Sequence, residues 1–203
     1  MNDEQTRPGA GEAPRRSGAW QAWLLAAMFF GPLAVAWVLY FDSGWRPGST
    51  TNHGELVSPA VPLPPAALPT PGGDRLDADF LHGHWTLLYV GGETCGETCR
   101  RALHDSRQAR LALGRLMDRV QRVYLYPGAA PDPAFLADEH PELVAAAVGG
   151  PEGRALLETL PSTSEGFWLV DPLGNVMMRY PPDADPEGML KDLKKLLRVS
   201  RIG

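Results

Sequence analysis

Both cysteines of the chain, Cys95 and Cys99, lie in the segment "GGETCGETCR" at residues 91–100. Two thiols at this spacing can bind a soft ion such as Cu(I), exchange electrons as a dithiol–disulfide couple, or form a structural disulfide. Residues i and i+4 of a helix lie one above the other, so both sulfur atoms can face one side. Arg100 and Arg101 follow directly, and their positive charge favours the reactive thiolate. The spacing alone leaves the three chemistries open.

An apolar run of strand length precedes the cysteines, and a helical pattern follows them. The run "WTLLYVG" at 85–91 is typical of a strand that is buried on both faces. Apolar residues then recur at intervals of three and four, which predicts a helix from about Glu97 to Asp118. The amides at a helix N-terminus favour the thiolate form of a nearby cysteine. We therefore expect the cysteine pair at the C-terminal end of a buried strand, where a helix begins.

The remaining segments complete an alternating order of strands and helices over residues 74–203. "VQRVYLYP" predicts a second strand, "DPAFLADEH" and "PEGRALLETL" predict short helices, and "GFWLVDPLGNVMMRYP" predicts a β-hairpin. "DPEGMLKDLKKLLRVS" predicts a final helix with Asp185 as its N-cap. The order β-α-β-α-(α)-β-β-α favours parallel strands with an antiparallel hairpin at the edge. The expected fold class is therefore α/β with a thioredoxin-like arrangement.

The N-terminal part of the chain has a different composition. Residues 19–41 form a run of 23 residues without a charge. A helix of about 20 such residues crosses the hydrocarbon core of a bilayer. They are predicted to form one transmembrane helix. Residues 1–18 are polar and predict a disordered cytoplasmic tail. Residues 42–73 are rich in proline and predict a semi-rigid spacer, in which "NHGELVSPAVPL" can dock on the domain as a short edge strand.

The charges beside the apolar run predict its orientation. Arg7, Arg15 and Arg16 precede the run, whereas only Arg46 follows it closely. The positive-inside rule then keeps the N-terminus in the cytoplasm and exports the C-terminal domain. In a bacterium this is a single-pass protein of the inner membrane with a periplasmic domain, a compartment in which cysteines can be oxidised. The net charge of −5 argues against nucleic acid as a partner.

The cysteine pair between strand and helix, followed later by "WLVDPLGNVMMRY", resembles the Sco/SenC family. These are membrane-anchored thioredoxin-like proteins that act as copper chaperones for cytochrome c oxidase, and the chain is most similar to the family's short oxidase-assembly relatives. The resemblance covers about residues 74–200 and the anchor. It implies that Cys95 and Cys99 bind copper or keep the copper-site thiols of the oxidase reduced. It also implies a cytochrome c oxidase subunit or another assembly factor as the partner.

The chain departs from the family pattern at the third copper ligand. Sco proteins use a histidine shortly before the hairpin, and that position falls near Thr163 in "PSTSEG". The first core strand separates the cysteines from the two histidines before it by roughly 20 Å, and the histidine in the following helix belongs to its polar face. None of the five histidines has support as a ligand, and we expect each to be a surface residue: His53, His82, His84, His104 and His140.

Two other functions stay open beside the copper-related one. A membrane-tethered thiol–disulfide oxidoreductase would be an enzyme that uses Cys95 and Cys99 as its redox pair. Members of that class usually have Cys-x-x-Cys and a cis-proline before the hairpin strand, where Gly166 precedes Phe167 in this chain. A structural disulfide in a non-catalytic assembly protein is the second alternative, although so short a loop adds little stability.

Arginines are concentrated in the helix after the cysteines and in the next strand. Seven of them lie between Arg100 and Arg122, against Glu97, Asp105 and Asp118 in the same part of the chain. Such a face can dock an acidic partner. A solvated helix face with ion pairs four residues apart is the interpretation that we favour.

Overall fold

The computed structural model describes residues 19–41, 52–162 and 165–203. The chain divides into two compact units, Met1–Thr50 and Thr51–Gly203. The described part of the first unit is one helix, α1 (Ala19–Phe41), which coincides with the uncharged run. Among the helices in the described part of the chain, none has the length and apolar character that a membrane crossing requires. The predicted tail over 1–18 lies outside the described residues.

The second unit is built on one six-stranded sheet with the strand order β1-β6-β5-β2-β3-β4. Strands β2, β3 and β4 are parallel, whereas β5 is antiparallel to β2, β6 to β5, and β1 to β6. This is the predicted combination of parallel strands with an antiparallel hairpin. The strands are β1 (Glu55–Pro62), β2 (Trp85–Val90), β3 (Val120–Tyr126), β4 (Leu143–Ala147), β5 (Gly166–Val170) and β6 (Asn175–Tyr180).

Helices cover both faces of the sheet. One core contains apolar residues of α2, α3 and α5, and the other contains residues of α4 and of the segment before β2. The N-cap of α5 is Asp185, as predicted, and its carboxylate accepts hydrogen bonds from the amides of Glu187 and Gly188 at 3.1 Å. The helices of this unit are α2 (Glu97–Leu111), α3 (Pro133–Glu139), α4 (Pro151–Thr159), α5 (Pro186–Val199) and a 3₁₀ helix (Gly114–Arg119).

Strand β2 occupies the centre of the sheet. Each of its six residues is buried, because β3 and β5 flank it and a core lies on each face. The prediction of a strand that is buried on both faces is confirmed. The cysteine segment begins at the C-terminal end of this central strand.

The prediction that "NHGELVSPAVPL" docks on the domain as an edge strand is confirmed, because β1 pairs with β6. The semi-rigid spacer predicted for residues 42–73 is wrong over residues 64–73, which also belong to the second compact unit. The segment around "ELVSPAVP" forms β1 at the edge of the sheet, where prolines are tolerated. Leu63, Ala66 and Leu68 are then buried in the core on the α4 face. The apolar residues between the prolines thus pack against the sheet, and the unit begins before residue 74. Residues 42–51 lie outside the described residues.

Two further elements differ from the prediction. Strand β4 was not predicted, because three of its five residues are alanines, which are depleted in strands. Helix α2 ends at Leu111 rather than near Asp118, and a 3₁₀ helix continues the segment. Gly114 begins the 3₁₀ helix with a φ of +57°, a conformation that favours glycine and interrupts a regular helix.

Candidate functional site

Cys95 and Cys99 form a disulfide with a Cα–Cα distance of 5.1 Å. Cys99 lies in the first turn of α2 and is buried, whereas Cys95 lies before the helix and is partly exposed. The sequence left the thiol, metal and disulfide states open, and the structure shows the oxidised pair. A thiolate that approaches from solvent can reach Cys95 but not Cys99.

Glycines allow the cysteine segment to lie close to the end of β3. A side chain at Gly91 would overlap the ring of Tyr124, and a side chain at Gly128 would overlap the backbone of Glu93. The amide of Ala129 donates a hydrogen bond of 3.1 Å to the carbonyl of Glu93. These close approaches hold the segment between β2 and α2 against the C-terminal ends of two parallel strands.

Tyr124 of β3 contacts the buried cysteine. Its hydroxyl oxygen lies 3.4 Å from Cys99 Sγ, and the hydroxyl is the donor, since a disulfide sulfur carries no hydrogen. Burial, followed by the negative charge of Glu165, raises the pKa of Tyr124 to about 12. The hydroxyl therefore keeps its proton at neutral pH and remains a hydrogen-bond donor to the sulfur.

Tyr89 and Glu165 extend this contact across the sheet. Tyr89 pairs with Tyr124 of β3 and with Phe167 of β5 in the strand register. Its ring centroid lies 5.6 Å from that of Tyr124 and 4.8 Å from that of Phe167. The Tyr89 hydroxyl donates a hydrogen bond to the Glu165 carboxylate, and burial together with this carboxylate raises the pKa of Tyr89. A row of aromatic rings thus connects the disulfide to an acidic side chain beside the hairpin.

The sequence analysis did not predict a role for Tyr89, Tyr124 or Glu165. Tyr89 and Tyr124 occupy equivalent positions near the C-terminal ends of neighbouring parallel strands, so the predicted pairing of the strands was a signal that could have found them. Glu165 carried no such signal, because only the folded chain brings the segment before β5 close to Tyr89.

The histidines are not gathered around the cysteines. His82 and His84 are exposed and precede β2, at the strand end opposite the cysteines, as expected. His104 is exposed and contacts Asp105 through Nδ1 at 3.3 Å. Across residues 19–41, 52–162 and 165–203, no group of three or more His, Cys, Asp or Glu side chains could hold a metal ion. Thr163, the position of the family histidine, lies outside the described residues.

The expectation that every histidine is a surface residue is wrong for His140. His140 follows α3 and is only 2% exposed. It packs edge-on against the ring of Phe135, and its Nδ1 lies 3.3 Å from the guanidinium of Arg122. Exposed His53 conforms to the expectation.

The fold and the oxidised cysteine pair define a thioredoxin-like protein. A family model described as the transmembrane-like, thioredoxin-like, C-terminal domain matches residues 85–200, which is more than half of the chain. The chain belongs to this family. No curated protein matches it.

Solved structures support the same fold. Apo Sco1 from Thermus thermophilus is 18% identical, with a TM-score of 0.60, over 73% of this chain and 99% of that chain. Yeast Sco1 with copper bound is 18% identical, with a TM-score of 0.55, over 69% and 94% of the two chains. A putative thiol:disulfide interchange protein DsbE from Chlorobium tepidum is 20% identical, with a TM-score of 0.51, over 68% and 97%. The predicted Sco-like thioredoxin fold is confirmed.

Proposed function

We propose that the protein is a membrane-anchored accessory factor of cytochrome c oxidase biogenesis, which handles copper or the thiols of a copper site through Cys95 and Cys99. The observation that carries this proposal is the position of the pair, with one accessible and one buried sulfur where β2 leads into α2. The family resemblance and the Sco-like fold support it.

The reduced pair is suited to Cu(I). Two thiolates are soft ligands that select Cu(I) over harder ions, and the 5.1 Å between the Cα atoms allows both sulfur atoms to reach one ion. Because Thr163 replaces the family histidine, the pair forms either a weak two-ligand site or a site that a copper-bearing partner completes. The partner is a cytochrome c oxidase subunit or another assembly factor.

The same pair is suited to the reduction of a partner disulfide. The Cys95 thiolate attacks one partner sulfur, and the first partner thiolate leaves. The Cys99 thiolate then attacks Cys95 Sγ, and the second partner thiolate leaves. The partner gains two electrons, and the pair ends as the disulfide that the structure contains. The Tyr124 hydroxyl supports this chemistry, because it can donate a hydrogen bond to Cys99 whenever that sulfur carries charge.

The uncharged run at residues 19–41 supports a single membrane anchor. We propose that the tail at 1–18 lies in the cytoplasm and that the second compact unit lies in the periplasm of a bacterium, joined to the anchor through residues 42–51. The family description as transmembrane-like supports this arrangement. A non-catalytic assembly protein, in which the disulfide only stabilises the docking surface, remains the alternative role.

A competition titration tests the copper role. The full chain is purified in a neutral detergent, reduced, and titrated with Cu(I) against a chelator. Loss of a residue that only hydrogen-bonds to a metal ligand already weakens metal binding by about 10–100-fold. Loss of a ligand itself costs more, so Cys95→Ser and Cys99→Ser should each weaken Cu(I) binding by at least about 100-fold. His104→Gln, on the same helix, is the control and should bind as the wild type does. Unchanged affinity in both cysteine variants would refute the copper role.

A further inference from the structure

A polar cavity lies on the same face of the sheet as the disulfide, beside the second half of α2. It has a volume of about 120 Å³ and is lined by the second half of α2, by β3 and by the segment after α3. Arg107, its first lining residue, lies eight residues after Cys99, which corresponds to about 12 Å along the helix. The cavity is therefore separate from the cysteine pair.

The charges around this cavity do not balance. Three arginines line it, and Glu142 is its only carboxylate. Glu142 is largely exposed and forms an ion pair with Arg110, whose Nε also donates to the carbonyl of Val120 at 2.6 Å. Within the described part of the chain, Arg107 has neither a hydrogen bond nor an ion pair. The glutamate thus neutralises one guanidinium at the surface and leaves two without a counter-ion.

Arg122 is the buried member of this group. It is only 3% exposed, and no described carboxylate lies within ion-pair distance of it. A buried guanidinium without an acidic partner is strongly unfavourable, because it loses hydration without gaining an opposite charge. The cavity therefore offers space in which an anion would neutralise the charge of Arg122.

Two residues of the lining each carry a buried nitrogen atom without a hydrogen-bond partner among the described residues, Arg122 Nε and His140 Nε2. The guanidinium of Arg122 can only donate, so His140 Nδ1 is the acceptor of their 3.3 Å contact. A neutral imidazole that accepts through Nδ1 carries its hydrogen on Nε2. The unpartnered groups are hence both donors, so the buried polar side chains of the lining offer donors rather than acceptors.

We propose that this cavity binds a tetrahedral oxyanion, either free phosphate or the phosphate of a lipid headgroup. Two guanidinium groups without a counter-ion, on α2 and β3, match the charge of a phosphate better than the single charge of a carboxylate. The volume is several times the share of one water molecule in the liquid, about 30 Å³. Arg107 and Arg122 supply the positive charge.

Calorimetry with sodium phosphate tests the proposal on the full chain in a neutral detergent, with sodium chloride at the same ionic strength as the blank. We expect one saturable site and a rise in Tm. A charged hydrogen bond is lost in Arg107→Gln, so binding should weaken at least about tenfold. Arg115→Gln removes the same charge from the exposed 3₁₀ helix, outside the cavity, and should leave binding unchanged.

Short-chain phosphatidic acid distinguishes the two sources of phosphate. Tighter binding of this lipid than of inorganic phosphate assigns the headgroup, and equal or weaker binding assigns the free ion.

Arg122→Met is a second variant that should fold and lose the phosphate-dependent rise in Tm. The proposal is overturned if phosphate gives no more heat than chloride, or if the Arg107 and Arg115 variants lose affinity equally. Cys95→Ser should bind phosphate normally, which separates this site from the proposed copper role.

Discussion

Removal of the Tyr124 hydroxyl is expected to make the Cys95–Cys99 disulfide harder to reduce. In the oxidised protein this hydroxyl donates to a neutral disulfide sulfur at 3.4 Å, which is a weak acceptor. After reduction the same hydroxyl can donate to a thiolate, and hydrogen bonds to charged groups contribute about 1.5–3 kcal/mol, against about 1 kcal/mol for neutral ones. The Tyr124→Phe variant therefore loses about 1 kcal/mol more from the reduced state than from the oxidised state.

This difference corresponds to a reduction potential about 20 mV more negative, because 30 mV is about 1.4 kcal/mol for a two-electron couple. The assay is a redox titration of the full chain in detergent against glutathione buffers. Tyr126→Phe is the matched control, since Tyr126 is also buried in β3 and stacks on Tyr124 at 5.8 Å. An unchanged potential in Tyr124→Phe, or an equal shift in Tyr126→Phe, would refute the role of the hydroxyl.

Three further predictions concern stability. Gly91→Ala should lower the free energy of unfolding by about 1–3 kcal/mol, because the added Cβ overlaps the Tyr124 ring. Gly96→Ala is the control and should not lower it, because the added Cβ has no neighbouring atom within 4 Å. Equal denaturant midpoints for the two variants would contradict this prediction. Asp192→Ala should cost about 3 kcal/mol in a urea titration, since the buried carboxylate accepts from the amides of His53 and Gly54 and from the hydroxyl of Tyr180. Burial, then Arg122 and Arg107, lowers the pKa of His140 to about 4. Between about pH 4 and 6.5 the unfolded state therefore binds more protons than the folded state. The free energy of unfolding should thus decrease as the pH is lowered from about 6.5 to 4, by at most about 3 kcal/mol. In a phosphate-free buffer, His140→Asn should flatten that dependence, and an unaltered pH profile would contradict the assignment.

The parts of the fold that could be predicted are those in which local pattern and tertiary environment agree. The unbroken apolar run of β2 reflects burial on both faces, and Asp185 with Pro186 marks the start of α5 in the sequence itself. Strand β4 has no such mark, because its alanines join the sheet only through pairing with β3. Of the proline-rich segment only the edge strand was predicted, because the burial of Leu63, Ala66 and Leu68 depends on contacts with residues distant in the chain.

The candidate site also has features that the sequence predicts and features that depend on the folded chain. The cysteine pair was evident from its spacing and from the strand before it, whereas its oxidation state and the depth of Cys99 required the folded chain. Tyr124 reaches the sulfur only because Gly91 lets the segment approach its ring. Arg122 is one of the arginines that the sequence analysis assigned to a solvated helix face. It is buried because it lies on β3, which packs against α2 in the folded chain.

The copper content of cytochrome c oxidase in cells tests the central claim most directly. The oxidase is purified from cells that lack this protein and from cells complemented with the wild type, with the Cys95→Ser/Cys99→Ser double variant, or with His104→Gln as a control. We predict that the wild type and the control restore the copper content and that the double variant does not. Full restoration by the double variant would contradict the claim that the cysteine pair carries the function.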